Sequence, residues 1–205
     1  MILTLLAFAG LAVWLYLVAF HGGFWRLGER DDNFAPPGAP APTGTQVIAI
    51  IPARDEADVI GECLSSLLTQ KFSGRLDIVL VDDQSTDGTA EAAKASAAAQ
   101  NAGERLTVLT SDGPASGWTG KLAAMQRGFD HVQRLAKAPD FVLFCDADIA
   151  FGPAALERLA TGALARKTVL ASLMVKLRCE SAAERWFVPA FVFFFQMLYP
   201  FARVN

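Results

Sequence analysis

Phe144-Cys145-Asp146-Ala147-Asp148-Ile149 closes an apolar run with two carboxylates one residue apart, and far upstream Val81-Asp82-Asp83-Gln84-Ser85-Thr86-Asp87-Gly88-Thr89 closes another. Both acidic clusters follow short apolar segments that read as buried strands. In a sheet of parallel strands they project from one edge, where open α/β folds place their ligand crevice.

The remaining segments agree with that reading. Val47-Ile48-Ala49-Ile50-Ile51, closed by Pro52, is a first strand, followed by Val59, Ile60, Cys63, Leu64, Leu67 and Leu68 at helical spacing with Asp58 as N-cap. Residues 76–81 form a second strand, and the alanine-rich stretch 89–99 a helix stopped by Gly103. Residues 106–109 form a third strand, Leu122, Met125, Phe129 and Val132 line a further helix, and residues 141–145 form a fourth strand. A helix over 153–165 and a strand over 168–176 extend the pattern. Strand and helix alternate, and the strands are nearly unbroken in apolar residues, as expected when both faces of a mostly parallel sheet are covered. The fold class is Rossmann-like α/β, with an added N-terminal membrane helix.

Residues 1–20 contain no charged side chain and are long enough, at about 1.5 Å per residue, to cross a bilayer core of about 30 Å. Trp14, Tyr16 and Trp25 lie toward the far end, and Arg26 and Arg30 follow, an arrangement that predicts a cell-membrane anchor with the catalytic domain on the cytoplasmic side. A cleaved signal peptide is the competing reading, disfavoured by the missing basic leader and the long apolar stretch. Residues 34–46 hold Pro36, Pro37, Pro40 and Pro42 and read as a stiff linker. A second apolar block, 186–202, carries Pro189, Gln196 and Pro200 and is short for a span; an interfacial helix and a core helix both fit it. The expected organisation is an anchor over 1–21, a juxtamembrane and Pro-rich linker over 22–46, an α/β domain over 47–180 and a membrane-associated segment over 181–205.

Composition narrows the chemistry. A net charge of −3 gives no basic field for nucleic acid. Cys63, Cys145 and Cys179 are odd in number and lack metal-site spacing, and His21 and His131 are too few for histidine-based zinc sites or triads. Chemistry is left to carboxylates, lysine and a bound metal. Residues two apart on extended chain point the same way, so Asp146 and Asp148 can converge on one hard cation, Mg²⁺ or Mn²⁺. A D-x-D pair also occurs as an ordinary turn, and Asp87 reads better as a helix cap than as a ligand. Asp82 and Asp83 can accept bonds from a base or ribose. Lys121, after Gly117-Trp118-Thr119-Gly120, sits near a helix start where free N–H groups favour a diphosphate.

Taken in order, Pro52-Ala53-Arg54-Asp55-Glu56-Ala57, the Val81 to Thr89 segment, Gly120-Lys121 and Asp146-Ala147-Asp148 resemble the motifs of family 2 glycosyltransferases with the GT-A fold, over residues 46–176. Gly117 to Lys121 and the N-terminal helix resemble the hopene-associated membrane members. The resemblance implies Pro52, Ala53, Arg54 and Glu56 along the nucleotide pocket, Asp83 near the base and Lys121 near the donor. It further implies Asp146 near ribose or metal and Asp148 as a metal ligand. It implies an inverting, metal-dependent transfer from a nucleotide-diphosphate sugar, UDP-linked by expectation, to a lipid, isoprenoid or hopanoid acceptor. The catalytic base that such enzymes carry is not recognisable before Asn205, so the chain is expected to be an N-terminal fragment with that base beyond Asn205. Competing readings are a catalytically incomplete donor-binding module and a sugar nucleotidyltransferase. The second would show a glycine-rich basic loop where Pro52 to Ala57 stands.

Overall fold

Apolar strand runs separated by helical stretches fold as α1 (Ile2–Phe20), β1 (Gln46–Ala53), α2 (Ala57–Leu68), β2 (Arg75–Asp82), α3 (Thr89–Ala99), β3 (Leu106–Thr110), α4 (Gly120–Gln133), β4 (Phe141–Phe144), α5 (Ala155–Arg166) and α6 (Ala182–Leu198). The computed structural model describes residues 1–26, 28, 34–35 and 40–203. They divide into two compact units, Ala35–Ser172 and a second made of Met1–Phe34 with Leu173–Asn205. The expectations that rest on Arg30 and on Pro36 and Pro37 lie outside the described residues.

In the α/β unit four strands pair in parallel in the order β3-β2-β1-β4. The chain moves outward from β1 through β2 to β3, then returns to the other side of β1. The strand order therefore reverses between β1 and β4, and the crevice beyond their C-terminal ends is the ligand position such topology creates. One face of the sheet, with Ala49, Ile51, Ile78 and Leu80, packs on α2, on the alanines of α3 and on Leu156 of α5. The other face, with Ile48, Ile50, Val79 and Val81, packs on α4.

Pro52 lies inside β1 rather than closing it. The Ile50 carbonyl accepts from Cys145 N at 3.4 Å, on the β4 side, and the Ala53 carbonyl accepts from Asp83 N at 2.8 Å, on the β2 side. Alternation puts Pro52 on the β4 side, past the last paired residue Ile50, so its missing N–H forfeits no ladder bond.

Three local expectations are corrected. The buried face of α4 is Ala124, Gly128 and Val132, while Leu122 is exposed. A Cβ at Gly128 would stand 2.5 Å from Ile50 Cγ2 and 3.1 Å from Val81 Cγ2, so α4 lies against the sheet on its smallest residues. α3 ends before Gly103: Asn101 takes a φ of 52°, and Ala102 N and Asn101 N donate to the Ala97 and Ala98 carbonyls, a left-handed C-terminal cap. Residues 168–176 form no strand, and Val169 and Leu170 are exposed. β-branched and apolar composition specifies a strand only where a partner edge takes up its backbone groups.

In the second unit no residue of α1 is buried, and it is the one helix among the described residues long and apolar enough to cross a membrane. At its end Gly22 and Gly23 both take positive φ, and a Cβ on Gly22 would come within 2.9 Å of Pro200 Cβ. The tight turn brings Phe24 against Phe193 of α6, ring centroids 5.3 Å apart. His21 Nε2 lies 2.9 Å from the Met197 carbonyl, and the Arg203 guanidinium donates to the Phe20 carbonyl at 2.8 Å. α6 opens with a capping box, Glu184 N donating to Ser181 Oγ and Ser181 N to Glu184 Oε2. Trp186, Phe187, Phe191, Phe194 and Leu198 of this helix are exposed.

Candidate functional site

The turns that follow β1 and β2 are built as one piece. Asp55 and Gln84 take φ values of 53° and 61°, uncommon for residues with a side chain. Such residues persist where surrounding bonds over-determine them. Asp55 N donates to Ser85 Oγ at 3.0 Å, and Thr86 N donates back to Asp55 Oδ1 at 2.7 Å. Glu56 N donates to Thr89 Oγ1 at 2.9 Å, and Ala57 N to Asp87 Oδ2 at 2.9 Å. Asp87 also accepts from Thr89 N and from the Thr89 hydroxyl, so one carboxylate takes the first N–H of α2 and the first of α3. The Thr89 hydroxyl, and after it the Ala57 N–H, hold the Asp87 carboxyl below the usual carboxylate range. Asp58, expected as the cap of α2, lies in its first turn, with Glu56 at the cap position.

This clasp fixes the next residue, Asp83, which is only 4% exposed. Its Oδ2 lies 3.8 Å from Arg54 Nη1 and faces Gly120, where a Cβ would approach to 2.5 Å. Its Oδ1 is buried with no hydrogen-bond partner among the described residues. A buried acceptor left unpaired costs about 1–3 kcal/mol, more when charged, and native structures rarely tolerate one without a function.

Gly120 and Lys121 are the first two residues of α4, whose cap residue Thr119 makes no side-chain bond to the exposed N–H groups. Gly120 meets Asp83 at the end of β2, and the Lys121 ammonium meets Asp146 Oδ1, 2.6 Å away, beyond the end of β4. The start of α4 therefore joins the ends of β2 and β4 across the switch point. Arg54 and Asp83, and Lys121 and Asp146, are brought together. Pro52 and Ala53 enter through the backbone of β1, and Glu56 through its N–H bond to Thr89.

Asp148 is exposed two residues after Asp146. Among the described residues no group of three or more His, Cys, Asp or Glu side chains could hold a metal. The two carboxylates nonetheless fit Mg²⁺ or Mn²⁺, hard cations commonly held by one or two protein carboxylates with water and substrate phosphates completing the sphere. Cys63 Sγ donates to the Asp146 carbonyl at 3.7 Å, packing the acidic turn onto α2. The Cys145 thiol is pushed up by its bond to Cys63 and by burial, so Cys145 is not a thiolate nucleophile. A separate groove of about 450 Å³, lined by Glu91, Lys94, Val108 and Thr110, lies at the β3 edge, away from the β1/β4 crevice.

Asp55, Ser85, Thr89 and Gly120 stand inside the quoted motifs, but the sequence alone gives them no individual role. The first three act through bonds between two turns distant in sequence. Gly120 was read only as the neighbour of a lysine, although a glycine opening a helix beside a charged residue is the signal of a close approach.

A parallel sheet with a buried acid, a helix start and two nearby carboxylates at its switch point is an open α/β domain with its ligand crevice at that edge. The chain belongs to the family described as Glycosyl transferase family 2, whose model matches residues 48–200. It is 32% identical over 107 residues to 4,4'-diaponeurosporenoate glycosyltransferase of Staphylococcus haemolyticus (strain JCSC1435), covering 52% of this chain and 25% of the relative. The protein of the same name from Staphylococcus aureus (strain bovine RF122 / ET3-1) is 34% identical over 103 residues, covering 50% and 24%. The match thus spans about a quarter of the length of these curated relatives. Among solved structures, the mannosyltransferase PcManGT of Pyrobaculum calidifontis, in complex with GDP-Man and Mn²⁺, is 26% identical with a TM-score of 0.49, covering 74% of this chain and 43% of that one. S. aureus TarS 1-349 in complex with UDP-GlcNAc is 25% identical with a TM-score of 0.41, covering 55% and 29%.

Proposed function

We propose that this chain is the donor-binding part of a membrane-associated glycosyltransferase that takes a sugar from a nucleoside diphosphate and passes it, with inversion, to a lipid or isoprenoid-type acceptor. The observation that carries the reading is the unpaired, buried Asp83 Oδ1 beside the start of α4. A carboxylate only accepts hydrogen bonds, so it would take the base through an N–H that the base offers. Uracil and guanine do so, and the resemblance favours uracil. Arg54 Nη1, 3.8 Å from the other oxygen, orients the Asp83 carboxylate.

From the base, the donor's diphosphate reaches the first turn of α4. The free N–H groups there and the Lys121 ammonium stabilise the negative charge that grows as the bond from anomeric carbon to phosphate oxygen breaks. Asp146 serves ribose or cation, and Asp148 the cation. A bound Mg²⁺ or Mn²⁺ supplies Lewis-acid neutralisation of the departing diphosphate. The new bond runs from the acceptor hydroxyl oxygen to the anomeric carbon, and the hydroxyl proton passes to a carboxylate base.

The name of the Staphylococcus relatives supports an acceptor of isoprenoid type, within which a hopanoid falls. The exposed apolar α1 and the aromatic surface of α6 support a bilayer partner. Arg26 after α1 favours a cytoplasmic C-terminal side.

Calorimetric titration of uridine diphosphate into the full chain in detergent micelles, with and without Mn²⁺, tests the donor site. Asp83→Ala is expected to abolish binding, and Asp148→Ala to remove its dependence on Mn²⁺. Equal binding by wild type and Asp83→Ala would refute the assignment, and preference for guanosine diphosphate would reassign the base.

A further inference from the structure

The Lys121 ammonium sits 2.6 Å from Asp146 Oδ1 although both side chains are more than half exposed, 58% and 52%. One carboxylate cannot serve an ammonium in contact and a divalent cation at full strength, because the two positive charges then stand only a few ångströms apart and repel. With Lys121 in place, the pair Asp146 and Asp148 presents a net charge of −1 to a cation instead of −2. Ion pairs this exposed are weak, so the ammonium is readily drawn to a stronger anion.

A nucleoside diphosphate is that anion. It would arrive at the same helix start, because Gly120 and Lys121 are consecutive, Gly120 lies against Asp83, and the buried unpaired Asp83 Oδ1 independently marks a ligand position there. Lysine is a compact charge on a flexible stem, suited to swinging between partners.

We propose that Lys121 is an internal counter-ion: it holds Asp146 while the site lacks nucleotide, and moves to the diphosphate when donor arrives. Asp146 is thereby released, and nucleotide and divalent cation load the site together. The inference rests on the donor-site reading above and adds a coupling that this reading does not require. Its chemical content is an exchange of ion-pair partners, with no covalent bond made or broken. Its functional consequence is that the site discriminates against free divalent cation and takes it up chiefly with donor.

The test uses the full chain in detergent micelles, with Mn²⁺ as probe followed by the paramagnetic resonance of the free ion, and uridine diphosphate followed by calorimetry in metal-free buffer. Lys121→Gln is expected to tighten Mn²⁺ binding in the absence of nucleotide on the order of tenfold, the size of removing one nearby charge at a solvated site. The same variant is expected to weaken uridine diphosphate several-fold without metal. Lys121→Arg, which keeps the charge, is expected to leave Mn²⁺ affinity near wild type. A merely structural lysine would not move the two affinities in opposite directions. Unchanged or weaker Mn²⁺ binding in Lys121→Gln, or no saturable Mn²⁺ binding in either protein, overturns the inference. If wild type still binds uridine diphosphate and loses it in Asp83→Ala, the donor site stands without the counter-ion exchange. If wild type binds no nucleotide with or without Mn²⁺, both readings fall.

Discussion

Replacing Gly128 with alanine tests whether the close seat of α4 on the sheet sets the position of the site. A Cβ there would stand 2.5 Å from Ile50 Cγ2 and 3.1 Å from Val81 Cγ2. Ordinary contact begins near 3.4 Å, so α4 or the strand must yield by close to an ångström. Ile50 and Val81 are fully buried and have nowhere to retreat. Overpacking of this kind costs about 1–3 kcal/mol, while alanine in a helix interior returns up to about 1 kcal/mol over glycine. The net expectation is a loss of about 1–2 kcal/mol, or roughly 2–8 °C in Tm at about 2–4 °C per kcal/mol. Gly61, inside α2, is the control: a Cβ there meets nothing within 4 Å, so Gly61→Ala keeps only the propensity gain and raises Tm by about 1–3 °C. Thermal unfolding of the full chain in detergent, followed by circular dichroism, reads both. A Gly128→Ala protein as stable as wild type, or stabilised like Gly61→Ala, would refute the packing argument and the idea that α4 holds Gly120 and Lys121 by lying hard against β1 and β2.

Two further outcomes follow from single groups. Asp87 is held below the usual carboxylate range by Thr89 and Ala57, so its contribution is present above the unfolded value, about 3.9, and is lost as pH falls through the lower folded value. Urea midpoints compared at pH 5 and pH 3 should fall less in Asp87→Asn than in wild type, and parallel losses would count against the clasp. In α6, Ser181→Ala removes the bond that Ser181 Oγ accepts from Glu184 N at 3.2 Å, a change worth about 1 kcal/mol at an N-cap. Hydrogen exchange in the first turn of α6 should then quicken about fivefold, while an unchanged rate would mean that packing alone orders that helix.

The four strands and their parallel pairing were legible because β1 and β2 are buried on both faces, β3 and β4 are partly buried, and each carries its own apolar signature. The acidic clusters were legible for a related reason. Such a sheet puts chemistry only at strand ends, so an acid directly after a strand is already near its working position. Residues whose role depends on a neighbour distant in sequence stayed hidden. Gly128 is small because Ile50 is beneath it, and the reading of α4 from its large apolar residues therefore found Val132 and Phe129 but missed Ala124 and Gly128 and took in the exposed Leu122. Thr89 and Asp87 looked like residues of one turn, yet they also take the first N–H groups of α2, which is why Asp58 was not needed as its cap. The expected strand over 168–176 failed for the converse reason, since its composition was right and no partner edge takes up its backbone.

The two acids that matter most differ in burial, and burial divides their work. Asp83 is buried beside Arg54 and Gly120, so its geometry is set before any ligand arrives, and under the proposed donor reading such preorganisation would give selectivity for a base with an N–H. Asp146 is half exposed and held by a lysine that solvent can also satisfy, so its partner is exchangeable. The proposed donor site, which would recognise one nucleoside yet release a diphosphate after each transfer, needs both behaviours. Recognition therefore belongs at the rigid end of the crevice, where β1 and β2 are clasped together, and charge neutralisation at the solvated end, where β4 stops.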